Sequence, residues 1–267
     1  MRALVVIGSI TLVACGLSVR GDDETQLTGS GSTPRPADAG TLDATPAELE
    51  DGGRLAQVNM RSVFDVDIVL NRHDGAWDPA QDPMDGSGYV LVTASADREL
   101  AGGSSSPNVL PDDAQFEETP DHAAVQLGWR NDDDGLNAKQ LRAGAPDVVV
   151  PVPPLSCRRL VLYGTSVEGT SAVDVTVRYS DGTATTVTPT FTDWASRATP
   201  AGGFLLASQL HRASVSLPNT PVTDPYAALS VAGVRVAVDQ TKQLVEIAIH
   251  DRETGFPRLY LLGIGLE

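Results

Sequence analysis

The segment Ala172-Val173-Asp174-Val175-Thr176-Val177-Arg178-Tyr179-Ser180-Asp181-Gly182-Thr183-Ala184-Thr185-Thr186-Val187 decides the fold. Val173, Val175, Val177 and Tyr179 alternate with Asp174, Thr176, Arg178 and Ser180, so a strand here has one apolar and one polar face. Asp181-Gly182 reverses the chain, and Val187, Pro189 and Phe191 fall at odd positions of the return strand. A two-residue loop would set Val187 opposite polar Thr176. A three-residue loop, Ser180-Asp181-Gly182, pairs Tyr179 with Thr183 and sets Val175 opposite Val187. A slip of one residue turns every side chain to the other face, so the apolar match selects the second register. Its natural turn is type I followed by a left-handed residue, a position that suits Gly182. Pro189 then marks an edge position or the strand's end.

The same alternation recurs towards the C-terminus. Val234, Val236 and Val238 alternate with Arg235, Ala237 and Asp239, and Val245, Ile247 and Ile249 resume the pattern after the polar link 240–243. Residues 259–264 are apolar at nearly every position, which predicts a central strand covered on both faces, with little room for an extension beyond it. Further strands are expected at 62–70, 88–94, 123–129, 147–152, 159–165, 204–206 and 213–217. Short strands separated by Gly, Pro and Asp, with no convincing amphipathic helix and no internal repeat, predict an all-β domain over 58–267. The expected architecture is a two-layer antiparallel β-sandwich.

Several pieces of this domain resemble a module of secreted bacterial polysaccharide-active proteins. They are Leu162-Tyr163-Gly164-Thr165-Ser166-Val167-Glu168-Gly169, the Tyr179-Ser180-Asp181-Gly182-Thr183 hairpin, Thr192-Asp193-Trp194, Ser62-Val63-Phe64-Asp65-Val66-Asp67 and Met84-Asp85-Gly86-Ser87-Gly88-Tyr89. The likeness runs with gaps from about residue 60 to 267. It implies a galactose-binding-like β-jelly roll, a fold used by many carbohydrate-binding modules and often carrying a structural Ca²⁺. Fold alone does not license function. With 3 Trp, 5 Tyr and 5 Phe, a broad aromatic platform for sugar rings is not expected.

The N-terminal part carries an address. Met1-Arg2 precedes an apolar run too short to span a bilayer, and Leu12-Val13-Ala14-Cys15 follows. This order of parts resembles the lipobox of bacterial lipoproteins, which implies cleavage after residue 14 and acylation of Cys15. Residues 15–57, rich in Gly, Ser, Thr, Pro, Asp and Glu, read as the lipidated cysteine and a disordered tether. About forty residues of such chain span roughly 35 Å, enough to lift a domain clear of lipid headgroups. The expectation is an exported protein held to the bacterial envelope by lipid alone, on the outer membrane where the cell has one. An acylated Cys15 leaves Cys157 as a lone thiol, read as a small buried hydrophobe. The formal charge of −16, or −17 without Arg2, excludes a nucleic-acid or polyanion partner and favours divalent cations and uncharged ligands.

Chemistry-bearing residues gather in loops. The acidic run 74–86 contains Trp77, Asp78, Asp82 and Asp85; with Asp65 and Asp67 it is either a solvated surface or a Ca²⁺ site, since hard cations take clustered oxygens. Asp65, Asp67 and Asp85 are the candidate ligands. Trp77, set among polar turn residues, is either a sugar-stacking face or a lid on the sheet. Asp193 and Trp194 join Trp77 and Asp85 as candidate ligand contacts, with a turn cap and end packing as their structural reading. Trp129 reads as core. The run 131–137 fails as an EF-hand, because Arg130 and Leu141 stand where acids are required; solvated charge is expected there.

The 4 histidines (His73, His122, His211, His250) are scattered, and neither a His-Glu-x-x-His pair nor a Gly-x-Ser-x-Gly elbow occurs. These observations predict a non-catalytic binding module for carbohydrate or another neutral polar ligand at the loop rim. Two alternatives stand beside it. One is a structural or adhesive surface lipoprotein that docks on another protein. The other is a glycoside hydrolase built on two loop carboxylates.

Overall fold

A computed structural model describes residues 56–73, 76–77, 83–85, 88–103, 106–130, 135–215, 222–253 and 255–267. The signal segment, Cys15, nearly all of the tether and most of the two acidic runs lie outside the described residues. In chain order the strands are β1 (Ala56–Val58), β2 (Val69–Leu70), β3 (Arg72–His73), β4 (Ala76–Trp77), β5 (Tyr89–Val92), β6 (Gln115–Phe116), β7 (Val125–Gln126), β8 (Lys139–Leu141) and β9 (Val148–Leu155). There follow β10 (Arg159–Val167), β11 (Ser171–Tyr179), β12 (Ala184–Val187), β13 (Thr190–Phe191), β14 (Gly203–Ser214), β15 (Val222–Ala237), β16 (Leu244–Asp251) and β17 (Arg258–Leu266). A short helix, α1 (Ala94–Leu100), follows β5.

The chain is all-β, as expected. A large sheet runs β1-β17-β10-β15-β14-β5-β2, with β8 also on β17, and a smaller one runs β12-β11-β16-β9, with β13 on β11. Every pairing within them is antiparallel except β2 with β5. The first core lies between the sheets. Val173, Val175, Val177, Ile247 and Ile249 of the small sheet meet Leu160, Leu162, Val234, Val236, Leu261 and Ile264 of the large one. A second core covers the opposite face of the large sheet, where Val161, Tyr163, Val231, Tyr260 and Leu262 pack under Ile68, Leu110, Leu127 and Trp129 from loops and short strands.

The hairpin takes the expected register. Val175 lies opposite Val187. The Tyr179 N–H donates to the Thr183 carbonyl at 2.9 Å, and the Gly182 N–H to the Tyr179 carbonyl at 3.0 Å. Gly182 has φ +83°, where a side chain would be strained. Asp181 Oδ1 accepts from both the backbone N–H and the hydroxyl of Thr183. β12 is the edge strand of the small sheet, and Pro189 lies just past its end.

Strand β17 is central and buried on both faces. Its alternation carries one extra residue: Tyr163 pairs with Gly263 but Gly164 with Leu261, so Leu262 is inserted and the parity changes. Leu259, Leu261, Ile264 and Leu266 therefore all face the sandwich core, while Tyr260 and Leu262 face the other. A side chain at Gly164 would place Cβ 2.6 Å from the Tyr260 carbonyl oxygen, so the backbones approach closely only because this residue is glycine.

Other expectations are modified. The two valine strands that share this alternation lie in different layers: β15 belongs to the large sheet and β16 to the small one, and residues 239–243 cross between them. The Tyr179 hydroxyl, accepting from the Asp239 N–H at 2.8 Å, fixes that crossing. Segments 204–206 and 213–217 merge into one long strand, because polar Ser208-Gln209 forms an irregularity rather than a turn. Gln209 has φ +57° and the register shifts on either side. Residues 62–70 bury Phe64 and the whole run 66–70, yet most of the ladder is missing; Val66 makes one bridge to Ala138. The 123–129 segment likewise pairs only through β7. Strand pairing starts at Ala56, two residues ahead of the boundary drawn from composition.

Candidate functional site

A cleft of about 700 Å³ opens beside the junction of β1 and β17. Val58 pairs with Ile264 there, and the chain then turns. Asn59 Oδ1 accepts the Arg61 N–H at 3.1 Å and the Met60 carbonyl accepts the Val63 N–H at 2.9 Å, so the segment after β1 folds back locally. This carries Met60 and Phe64 to one wall. Gln126-Leu127-Gly128, Arg130 and Leu262-Gly263 of β17 also line the space.

Two glycines let neighbouring side chains pack directly on the backbone. A Cβ on Gly128 would lie 2.7 Å from Cε2 of Phe64, and one on Gly263 would lie 2.7 Å from Cδ2 of Leu127. Around this apolar floor stand Gln57, Asn59, Arg61, Gln126 and Arg130. Gln126 is held by its own amide, which donates to the Asp113 carbonyl at 2.6 Å and the Leu127 carbonyl at 3.1 Å. The Arg130 carbonyl accepts from Asn71 Nδ2 at 2.9 Å. Apolar walls with a few placed polar groups, in this volume range, are how small-ligand sites are built. Amides and guanidinium groups suit a ligand rich in oxygen acceptors, with Phe64, Met60 and Leu262 available to its C–H faces. Among the described residues no aspartate or glutamate lines the cleft.

The residues singled out by the sequence lie elsewhere and do not converge. Asp85 Oδ1 accepts the Tyr89 N–H at 3.1 Å, and its Oδ2 lies 4.0 Å from Arg212 Nη1. The Arg212 guanidinium of β14 stacks on the Tyr89 ring at 3.5 Å. Asp193 accepts the Gly169 N–H at 2.7 Å and the Ala195 N–H at 2.8 Å. Trp194 is 5 % exposed and packs in the second core. Trp77 pairs through its backbone with Arg72; its side chain lies outside the described residues.

The three candidate metal ligands have separate partners. Asp65 bonds Lys139 Nζ at 2.7 Å and the Gln140 N–H at 2.9 Å. Asp67 is buried and accepts from the Asn137 amide, whose own oxygen accepts the Ile68 N–H at 2.9 Å. Buried carboxylates persist only when so paired. Among the described residues no three His, Cys, Asp or Glu side chains gather as a metal site, so Asp65, Asp67 and Asp85 do not supply a common set of oxygens. Trp129 is core, its indole N–H donating to the Pro111 carbonyl at 2.9 Å. Cys157 is a buried free thiol, its pKa pushed up to about 11 by burial.

The cleft residues carry no local signal in the sequence. They come from three distant segments, 57–64, 126–130 and 262–263, and Gln57 falls within the stretch read as tether. Only the pairing of β1 with β17 brings them together. No known protein-family pattern matches this chain, and no curated protein matches it.

Proposed function

We propose that this chain is an exported, envelope-tethered binding module that holds a carbohydrate or another neutral polar ligand in the cleft beside β1. The observation that carries this reading is the cleft itself, where three amide side chains and two arginines rim an apolar floor of suitable size. The resemblance of the Tyr179–Thr183 hairpin and the Asp193-Trp194 pair to galactose-binding-like modules supports the sugar class. The Leu12–Cys15 motif supports the lipid tether.

A glycan-array screen of the full-length chain in detergent, with and without chelator, tests it. Binding to a defined glycan that falls at least about tenfold in Gln126→Ala and Arg130→Ala supports the cleft; each lost hydrogen bond to a ligand is worth on the order of 1 kcal/mol, more for a charged donor. No glycan binding, or binding untouched by these variants, overturns it. A melting temperature unchanged by chelator would remove the calcium expectation independently. Fatty-acid labelling that disappears in Cys15→Ser tests the tether.

A further inference from the structure

A second polar constellation lies on the α1 side of the large sheet and involves no cleft residue. Asp97, in the middle of α1, is 1 % exposed. Its Oδ2 accepts the Ser106 N–H at 2.8 Å, which ties Ser106 to the helix. Its Oδ1 faces His211 Nδ1 at 3.7 Å. Both of these atoms are buried and neither has a hydrogen bond. The other ring nitrogen, His211 Nε2, lies 3.2 Å from Ser106 Oγ. The order carboxylate, imidazole, hydroxyl is thus complete in space, from residues scattered over more than a hundred positions.

Several features hold the imidazole in place. Two residues before it, Gln209 has φ +57°, and the β14–β15 register shifts between Leu210 and Arg212. Irregularities of this kind re-aim a side chain out of a regular ladder. The His211 N–H donates to the Asn108 carbonyl at 2.8 Å, pinning the strand to the Ser106 segment. The Asn108 N–H in turn donates to Ser106 Oγ at 3.1 Å, which leaves the hydroxyl proton to point at Nε2. Ser106 itself is half-buried, with part of its surface open to solvent.

We propose that Ser106 and His211 are catalytic residues of an acyl-transfer centre, with Asp97 the positioning residue, and that the substrate class is an O-acyl ester. The separation of 3.7 Å between Asp97 and His211 exceeds a hydrogen bond, as relay contacts often do before substrate binds. A merely structural contact would not leave two buried polar atoms facing each other unbonded, a state that costs about 1–3 kcal/mol per group. In the reaction, Ser106 Oγ forms a bond to the acyl carbon while its proton passes to His211 Nε2. The C–O bond to the leaving alcohol breaks as Nε2 returns that proton to the departing oxygen. Water then attacks the acyl-serine by the same route, releasing the carboxylic acid and restoring the hydroxyl. Asp97 holds the Nδ1–H tautomer and stabilises the imidazolium.

The test treats the full-length chain with a fluorophosphonate probe and with p-nitrophenyl acetate. Expected are a single phosphonylated residue, located at Ser106 by mass spectrometry, and ester hydrolysis that vanishes in Ser106→Ala with an unchanged melting temperature. His211→Gln should lose labelling as well. Asp97→Asn should lower kcat about 100-fold or more at unchanged KM, a split that a general loss of packing would not produce. An unlabelled Ser106 in the folded chain, or hydrolysis equal in wild type and Ser106→Ala, overturns the proposal. If Asp97→Asn does not fold, the serine and histidine variants decide alone. Glycan binding at the cleft is measured separately, so failure of either proposal leaves the other standing.

Discussion

The two faces of the large sheet are covered in different ways. One face meets a second sheet whose strands alternate apolar and polar residues in step with the pleat. The other meets short strands and turns, whose apolar residues come singly from many places. Both layers exclude water from the sheet, and both polar constellations lie where regular pairing stops: the cleft between segments 57–64 and 126–130, and the Asp97 group beside α1, which packs in a third cluster with Leu70, Val90, Val92 and Ala213. Regular pairing satisfies backbone groups with one another and leaves little free chemistry. An irregular layer must satisfy its backbone with side chains, so Asp97, Asp112, Asn137 and Asp193 each hold a main-chain N–H. Such side chains can be adapted to bind or to react.

The contrast predicts unequal losses on truncation. Ile247→Ala, in the sandwich core, should lower the unfolding free energy in urea by about 3–4 kcal/mol, because two rigid sheets cannot collapse on the void. Leu262→Ala should cost about 2 kcal/mol, since its side already borders the open cleft. Equal losses would break the distinction between the layers. Gly164→Ala comes next, at about 2 kcal/mol, because the new methyl meets the Tyr260 backbone rather than a side chain that can swing aside. A loss no larger than that of an exposed Gly→Ala change would show that β10 and β17 can separate there.

A smaller effect belongs to the hairpin tip. The Thr183 hydroxyl and N–H, with Lys242, hold the Asp181 carboxyl down to about 2. A carboxylate lowered on folding stabilises the native state above its unfolded value, near 3.9, and that contribution fades as pH falls through about 2. Asp181→Asn should therefore melt slightly below wild type at pH 6, with the gap closing by pH 2; a gap independent of pH would assign the effect to turn geometry. For Cys157 the sign is opposite. Its thiol is raised to about 11, so its contribution is whole below the unfolded value of about 8.5 and is lost as pH rises through 11. At pH 8 it should react with a thiol reagent only after urea unfolds the chain; rapid reaction in the native protein would place it outside the core.

The regular layer was legible because its code is local. Val175 and Val187 could be paired from parity and one glycine. The irregular layer was not, for reasons visible in particular residues. Phe64, Val66 and Ile68 alternate like a strand, but their neighbours are turns, so the pattern promised a ladder that does not form. Helix α1 was missed because its burial rests on Ala96 and Asp97, and a buried aspartate reads as surface in any hydropathy pattern. His211 looked scattered because its companions lie more than a hundred residues away. The extra residue at Leu262 escaped notice because a run apolar at nearly every position hides its own parity.

The last three strands alternate between layers, β15 in one sheet, β16 in the other and β17 back in the first. The small sheet has all its strands once β16 ends at Asp251, but the large one waits for β17, which separates β1 from β10. The large sheet therefore cannot close before its C-terminal strand is in place. Contacts of such long sequence separation close late, so the first strand stays unpaired until the last one arrives beside it.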